Sequence, residues 1–139
     1  MLSSLVLTAC ETKDTELVET TTKTFANEFF NLKYGNAATL CTQESRKWLE
    51  YIASNVSQSD LDLFNNYPDT ASCEIVDVSI NDDAEATVKL KVHNFLANDS
   101  LESNPRICPT ATFSFNLHKE NDKWKIVLDA LPAAKHSDN

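Results

Sequence analysis

The spacing of apolar residues changes period once along this chain, near Cys73, and that change restricts the fold more than any other feature. Upstream, Val18, Thr22, Phe25, Phe29 and Leu32 recur at alternating spacings of four and three, which places them on one face of a helix. Gly35, the only glycine, follows Tyr34 and is expected to close that helix, because glycine enters the left-handed region without strain. A short helical step over 36–40 should follow. Thr42 can then cap a second long helix with Trp48, Leu49, Ile52 and Val56 on its apolar side. Ser59 and Asp60 begin a further turn, which Tyr67-Pro68-Asp69 ends.

Downstream of Cys73 the period is two. Val76, Val78 and Ile80 share one face; after a turn at Asn81-Asp82-Asp83, Ala86, Val88, Leu90 and Val92 alternate with Thr87, Lys89, Lys91 and His93. Residues 97–106 read as a polar loop. Phe113, Phe115 and Leu117 then alternate with polar residues, and Trp124, Ile126 and Leu128 complete the set beyond a turn at Glu120-Asn121-Asp122. Four antiparallel strands in a meander, apolar on one face and polar on the other, follow from that pattern. Helices first and strands afterwards predict an α+β domain, with the N-terminal helices packed on the apolar, concave face of the sheet.

Composition excludes several functions. The 139 residues carry 21 acidic and 12 basic side chains, a formal net charge of −9. Such a surface repels phosphate backbones, so no nucleic-acid partner is expected. No run of about 18 apolar residues is present. The spacings among Cys41, Cys73 and Cys108 match no zinc pattern, and with a single glycine there is no phosphate-cradling loop. Asn81-Asp82-Asp83 with Glu85 lacks the glycine and spacing of a calcium loop and reads as a hairpin turn. Neither a metal nor a cofactor is expected.

The start of the chain suggests an address. Leu7-Thr8-Ala9-Cys10 resembles the lipobox of bacterial lipoproteins, in which the cysteine is lipidated and becomes the first mature residue. The resemblance implies that residues 1–10 are the end of a signal peptide, and that Cys10 carries a lipid anchoring the protein to a membrane of the bacterial cell envelope. No Lys or Arg precedes the apolar run, so further signal residues are expected upstream of Met1. The acidic continuation, Glu11 to Glu16, reads as a solvated tether. It resembles the surface-export signal of Bacteroidetes lipoproteins, which implies the outer membrane and surface exposure. In an oxidising compartment three remaining cysteines suggest one disulfide and one buried thiol. In a simple meander Cys73 and Cys108 lie two strand spacings apart, about 9.5 Å, beyond the roughly 7 Å limit for a bridge. Cys41 is therefore expected as one partner, with Cys73 as the other because it opens its strand directly after the helical half.

"FANEFFNLKYGN", the "CTQES" helix start, "DDAEATVKLKV" and the terminal "KENDKWKIVL" together resemble the nuclear transport factor 2-like domain, and more narrowly small Bacteroidetes lipoproteins built on it. The resemblance covers 17–131 and leaves 132–139 as a polar tail. It implies a cone-shaped domain with a pocket between helices and sheet, which relatives such as ketosteroid isomerases and polyketide cyclases use for acid–base catalysis. Here the inward strand positions are apolar, with Asn94 the only hydrogen-bonding side chain among them apart from the Trp124 indole. His93, His118, Asp77 and Asp129 share parity with the polar face, and no catalytic residue is assigned. Candidate pocket residues are Phe25, Phe29, Trp48, Tyr51, Asn94, Phe113, Phe115 and Trp124, although stripes at these spacings also suit a packed core. The expected function is a non-catalytic, lipid-anchored envelope domain that binds a small apolar ligand or an envelope protein. The alternative is an isomerase- or cyclase-like enzyme with acid–base groups on its helices, for example Tyr51 or Glu50. The outer sheet face, with Thr87, Lys89, Lys91, His93, Thr110, Thr112, Ser114 and Asn116, offers little apolar area for a dimer, so a monomer is expected.

Overall fold

The computed structural model describes residues 2–82, 84–97 and 106–133, with side chains from residue 13 onward. Four helices, α1 (Leu2–Phe30), α2 (Tyr34–Ala38), α3 (Arg46–Asn55) and α4 (Gln58–Asn66), precede four strands. These are β1 (Ser72–Asp82), β2 (Glu85–Ala97), β3 (Arg106–Glu120) and β4 (Lys123–Val127), and a 3-10 turn over Gln43–Ser45 leads into α3. The strands pair antiparallel in the order β1-β2-β3-β4. No helix among the described residues is long and apolar enough to cross a membrane.

α1 lies on the sheet by the face its spacing predicts. Val18, Thr22, Phe25 and Phe29 are buried, joined by Ala26 and Phe30. Thr22 tolerates full burial because its hydroxyl donates to the Val18 carbonyl at 2.8 Å. The helix ends in a Schellman arrangement, with the Lys33 N–H donating to the Glu28 carbonyl at 2.8 Å and the Leu32 N–H to Phe29 at 3.1 Å. The left-handed residue is thus Leu32, at φ 68°, and not Gly35, which sits inside α2 without a positive φ. Asn31, one step earlier, reaches across to the sheet: its side chain donates to the Ala71 carbonyl at 3.1 Å and accepts from the Ala71 N–H at 3.0 Å. That pair sets where β1 begins.

The expected tether over 11–16 is part of α1. Asp14 accepts from both Lys119 Nζ and Trp124 Nε1 at 3.2 Å, which draws this turn of the helix onto the end of the sheet. A buried indole N–H needs an acceptor, and Trp124 is only 4% exposed.

Two irregularities modify the expected alternation in the sheet. A register shift between Ile75 and Asp77 leaves Val76 unpaired and 53% exposed. Val76 therefore does not face the core; the extra residue of the bulge turns Cys73 and Ile75 to the same side as Val78 and Ile80. The second irregularity is at Asn94, at φ 56°, opposite Pro109. Val92 and Phe95, three apart, are both buried, and so are Phe113 and Phe115 on β3 before the pattern slips at Cys108. Pairing continues in one register through the kink, from His93↔Thr110 to Phe95↔Cys108. Asparagine accepts the left-handed conformation at modest cost, and proline has no N–H to contribute to a ladder.

The chain between α2 and the 3-10 turn extends the sheet at its β4 edge. Ile126 donates to the Leu40 carbonyl at 2.8 Å, and the Thr42 N–H donates to Ile126 at 2.9 Å, a parallel bridge centred on Cys41. That contact overturns the expected Cys41–Cys73 disulfide. Cys41 lies beyond β4 while Cys73 is on β1, so β2, β3 and β4 stand between them at about 4.8 Å per strand. Cys41, Cys73 and Cys108 are free thiols. Burial pushes Cys41 up to about 12, against the opposing pull of Arg46 and Lys125. Burial also raises Cys73, whose Sγ lies 3.5 Å from Asn27 Oδ1 on α1.

Candidate functional site

Phe29 and Phe30 end α1, Phe95 and Phe113 face them from β2 and β3, and their rings pack edge-on: Phe29–Phe30 at 4.9 Å, Phe30–Phe95 at 5.4 Å, Phe95–Phe113 at 5.4 Å. This aromatic cluster closes one end of the core and floors a cavity of about 710 Å³ between the helices and the far end of the sheet. Its size lies within the range that holds a small organic molecule. Leu32 and Tyr34 line it from the turn after α1, and Tyr51, Ile52, Asn55 and Val56 from α3. Ala97, Cys108 and Ala111 line it from the kinked ends of β2 and β3, and Leu131, Pro132 and Ala133 from the segment after β4.

Of the residues expected in a pocket, Phe29, Tyr51 and Phe113 line this cavity. Tyr51 stands at its rim, 53% exposed. Phe25 is fully buried against Phe29 and Phe115 in the core, with ring centroids 5.5 and 5.3 Å away. Phe115 borders only a smaller depression of about 150 Å³ beside 128–133. Trp124 is engaged by Asp14, Trp48 packs at the core's edge beneath Lys47, and Asn94 forms the kink. Glu50 is exposed on α3 and does not reach the cavity. The side chain of Cys10 and the tail residue His136 lie outside the described residues.

Asp60, 4% exposed, is the group that sequence reasoning placed only as a turn residue. It lines the cavity as the third residue of α4, in a capping box: its N–H donates to Ser57 Oγ at 3.1 Å, and its Oδ2 accepts the Ser57 N–H at 2.8 Å. The Ser-Gln-Ser-Asp spacing carries that capping pattern and could have located the helix start; its burial follows from packing against the sheet. Tyr34 shares the cavity, and burial together with the Asp60 charge holds its phenol up at about 12. Among the lining residues Arg106 is the one cation, exposed where β3 begins.

Both described histidines lie on the outer face. His93 joins Glu74 at 3.3 Å and Thr110 at 3.1 Å in a cross-strand chain, and His118 lies 3.4 Å from Glu85. Among the described residues no group of three or more His, Cys, Asp or Glu is placed to hold a metal ion.

A helical layer over a four-strand antiparallel sheet, with a cavity at one end, matches several solved structures. A ketosteroid isomerase-like protein from Erwinia carotovora atroseptica superposes with a TM-score of 0.57 at 12% identity, over 81% of this chain and 90% of that one. A nuclear transport factor 2-like protein of unknown function from Shewanella oneidensis gives 0.52 at 12%, over 88% and 99%. The chain has the nuclear transport factor 2-like fold. A protein of unknown function from Mycobacterium tuberculosis is similar too, with a TM-score of 0.58 at 11% identity, covering 92% of this chain and 74% of that one. No family model and no curated protein matches the sequence. At such identities the nuclear transport factor 2-like likeness speaks to architecture and leaves chemistry to the residues of the cavity.

Proposed function

We propose that this chain is a non-catalytic, lipid-anchored domain of the bacterial cell envelope that holds a small, largely apolar ligand and works as a monomer. One observation carries the ligand reading: about 710 Å³ of open space walled mainly by Phe, Tyr, Leu, Ile, Val and Ala side chains. A core without a task would close such a volume, because unfilled space forfeits packing energy on every side. The lipobox-like Leu7-Thr8-Ala9-Cys10 supports the anchor. A neutral apolar dye, N-phenyl-1-naphthylamine, should bind saturably at one site and brighten. Ala111→Phe, which adds a ring to the cavity wall, should abolish this while leaving circular dichroism unchanged. Absence of saturable binding to the unsubstituted protein refutes the ligand reading. Separately, Cys10→Ala should release the protein from membranes when it is expressed with its upstream residues; unchanged fractionation refutes the anchor.

A further inference from the structure

We infer that the cavity is built for an organic cation, a protonated amine carried on an apolar body, with Asp60 as its counter-charge and the Tyr34 hydroxyl as a second acceptor. This rests on the ligand reading above and names the chemical class. The capping box accounts for only one oxygen of Asp60, since Oδ2 takes the Ser57 N–H. Among the described residues no hydrogen bond reaches Oδ1, and no partnerless side-chain oxygen there is sealed from solvent, so Oδ1 keeps accessible surface on a residue that lines the cavity. The Ser57 N–H and the first turn of α4 serve Oδ2, but Oδ1 has neither a cation nor a donor of its own among the described residues. A ligand ammonium would supply both, at a site where reduced dielectric strengthens the attraction.

The surroundings favour a cation over other ligands. Phe29 and Tyr34, whose rings meet at 5.5 Å, line the same cavity as Asp60, and aromatic rings attract ammonium groups through their electron-rich faces. Tyr34 is neutral at physiological pH, as a phenol is, and its oxygen can accept from an ammonium N–H. A carboxylate ligand would meet Asp60 as a like charge on the buried wall, while Arg106, the one cation of the lining, is exposed where β3 begins. A neutral alcohol could donate to Oδ1 but would gain no charge–charge attraction.

Titration calorimetry at physiological ionic strength with three isosteric probes tests this: 4-phenylbutylamine, 4-phenyl-1-butanol and 4-phenylbutanoate. The amine should bind at least about ten-fold more tightly than the alcohol, with the carboxylate weakest. D60N retains an amide oxygen for the Ser57 N–H, so it should bring amine and alcohol within about two-fold of each other and leave alcohol affinity intact. Y34F leaves the cap untouched and should weaken the amine alone by about three-fold. Glu50→Gln removes a negative charge from exposed α3 and should preserve the preference, which separates Asp60 from the overall acidity of the protein. An amine no tighter than the alcohol, or a preference that survives both D60N and Y34F, overturns the inference. If the neutral dye binds while the amine shows no advantage, only this inference fails; if neither dye nor probes bind, the ligand reading fails with it.

Discussion

Replacing Ser45 with alanine should destabilise the protein far more than loss of one hydroxyl suggests. Ser45 is 1% exposed, and its Oγ accepts the Leu128 N–H at 2.8 Å. Leu128 is itself 7% exposed, so water cannot readily replace the lost acceptor. The cost is then the desolvation penalty of an orphaned buried N–H, about 2 kcal/mol, above the ~1 kcal/mol of an ordinary hydrogen bond. At about 2.1 cal/mol/K per residue, the unfolding entropy of a chain this size is about 0.3 kcal/mol/K, so Tm should fall by about 7 °C. Thr42 Oγ1 lies 2.6 Å from Ser45 Oγ, but its removal orphans no backbone group, and Thr42→Ala should cost about 0.5–1 kcal/mol. Urea unfolding of both variants gives the two numbers, and amide exchange at Leu128 gives the local one. An S45A variant within 0.5 kcal/mol of the parent, with Leu128 still protected, would show that the Ser45 bond is not what ties the helical half to the end of β4.

Gly35→Ala should stabilise by about 0.5–1 kcal/mol, since Gly35 is helical and a Cβ there meets nothing within 4 Å; a loss of stability would contradict its placement inside α2. Alkaline pH should destabilise. Cys41 and Tyr34 both have folded pKa values raised to about 12, from 9.0 and 10.0, so the unfolded chain releases protons first and stability declines as pH rises above about 9; a flat profile of urea midpoints from pH 8 to 11 would refute this. Ellman's reagent in denaturant without reductant should titrate a thiol at each of Cys41, Cys73 and Cys108; protection of any two would restore a disulfide.

The helix-then-strand order was legible because each half keeps one period long enough to define a face: Phe25 and Phe29 on α1, Val88, Leu90 and Val92 on β2. What sequence could not supply were the places where pairing overrides periodicity. Nothing in "EIVDVSI" marks Val76 as the residue without a partner, because a bulge is decided by the neighbouring strand. Leucine is a poor candidate for a left-handed helix end, and the only glycine drew the expectation three residues too far, to Gly35 from Leu32. The cavity was legible as a class of feature through fold resemblance, with Phe29, Tyr51 and Phe113 on its walls. Asp60 was not, since its burial depends on α4 packing against a sheet whose first residue lies further along the chain.

The kink at Asn94 and Pro109 divides β2 and β3 into two lengths with different obligations. On one side Val88, Leu90, Val92, Phe115 and Leu117 fill the core, and most exchanges there carry a cost to folding. On the other side Leu96, Ala97 and Cys108 border the cavity. Mutations accepted in that outer length alter what fits inside while the inner length preserves the shape. A sheet partitioned in this way can reshape its cavity without passing through an unfolded ancestor.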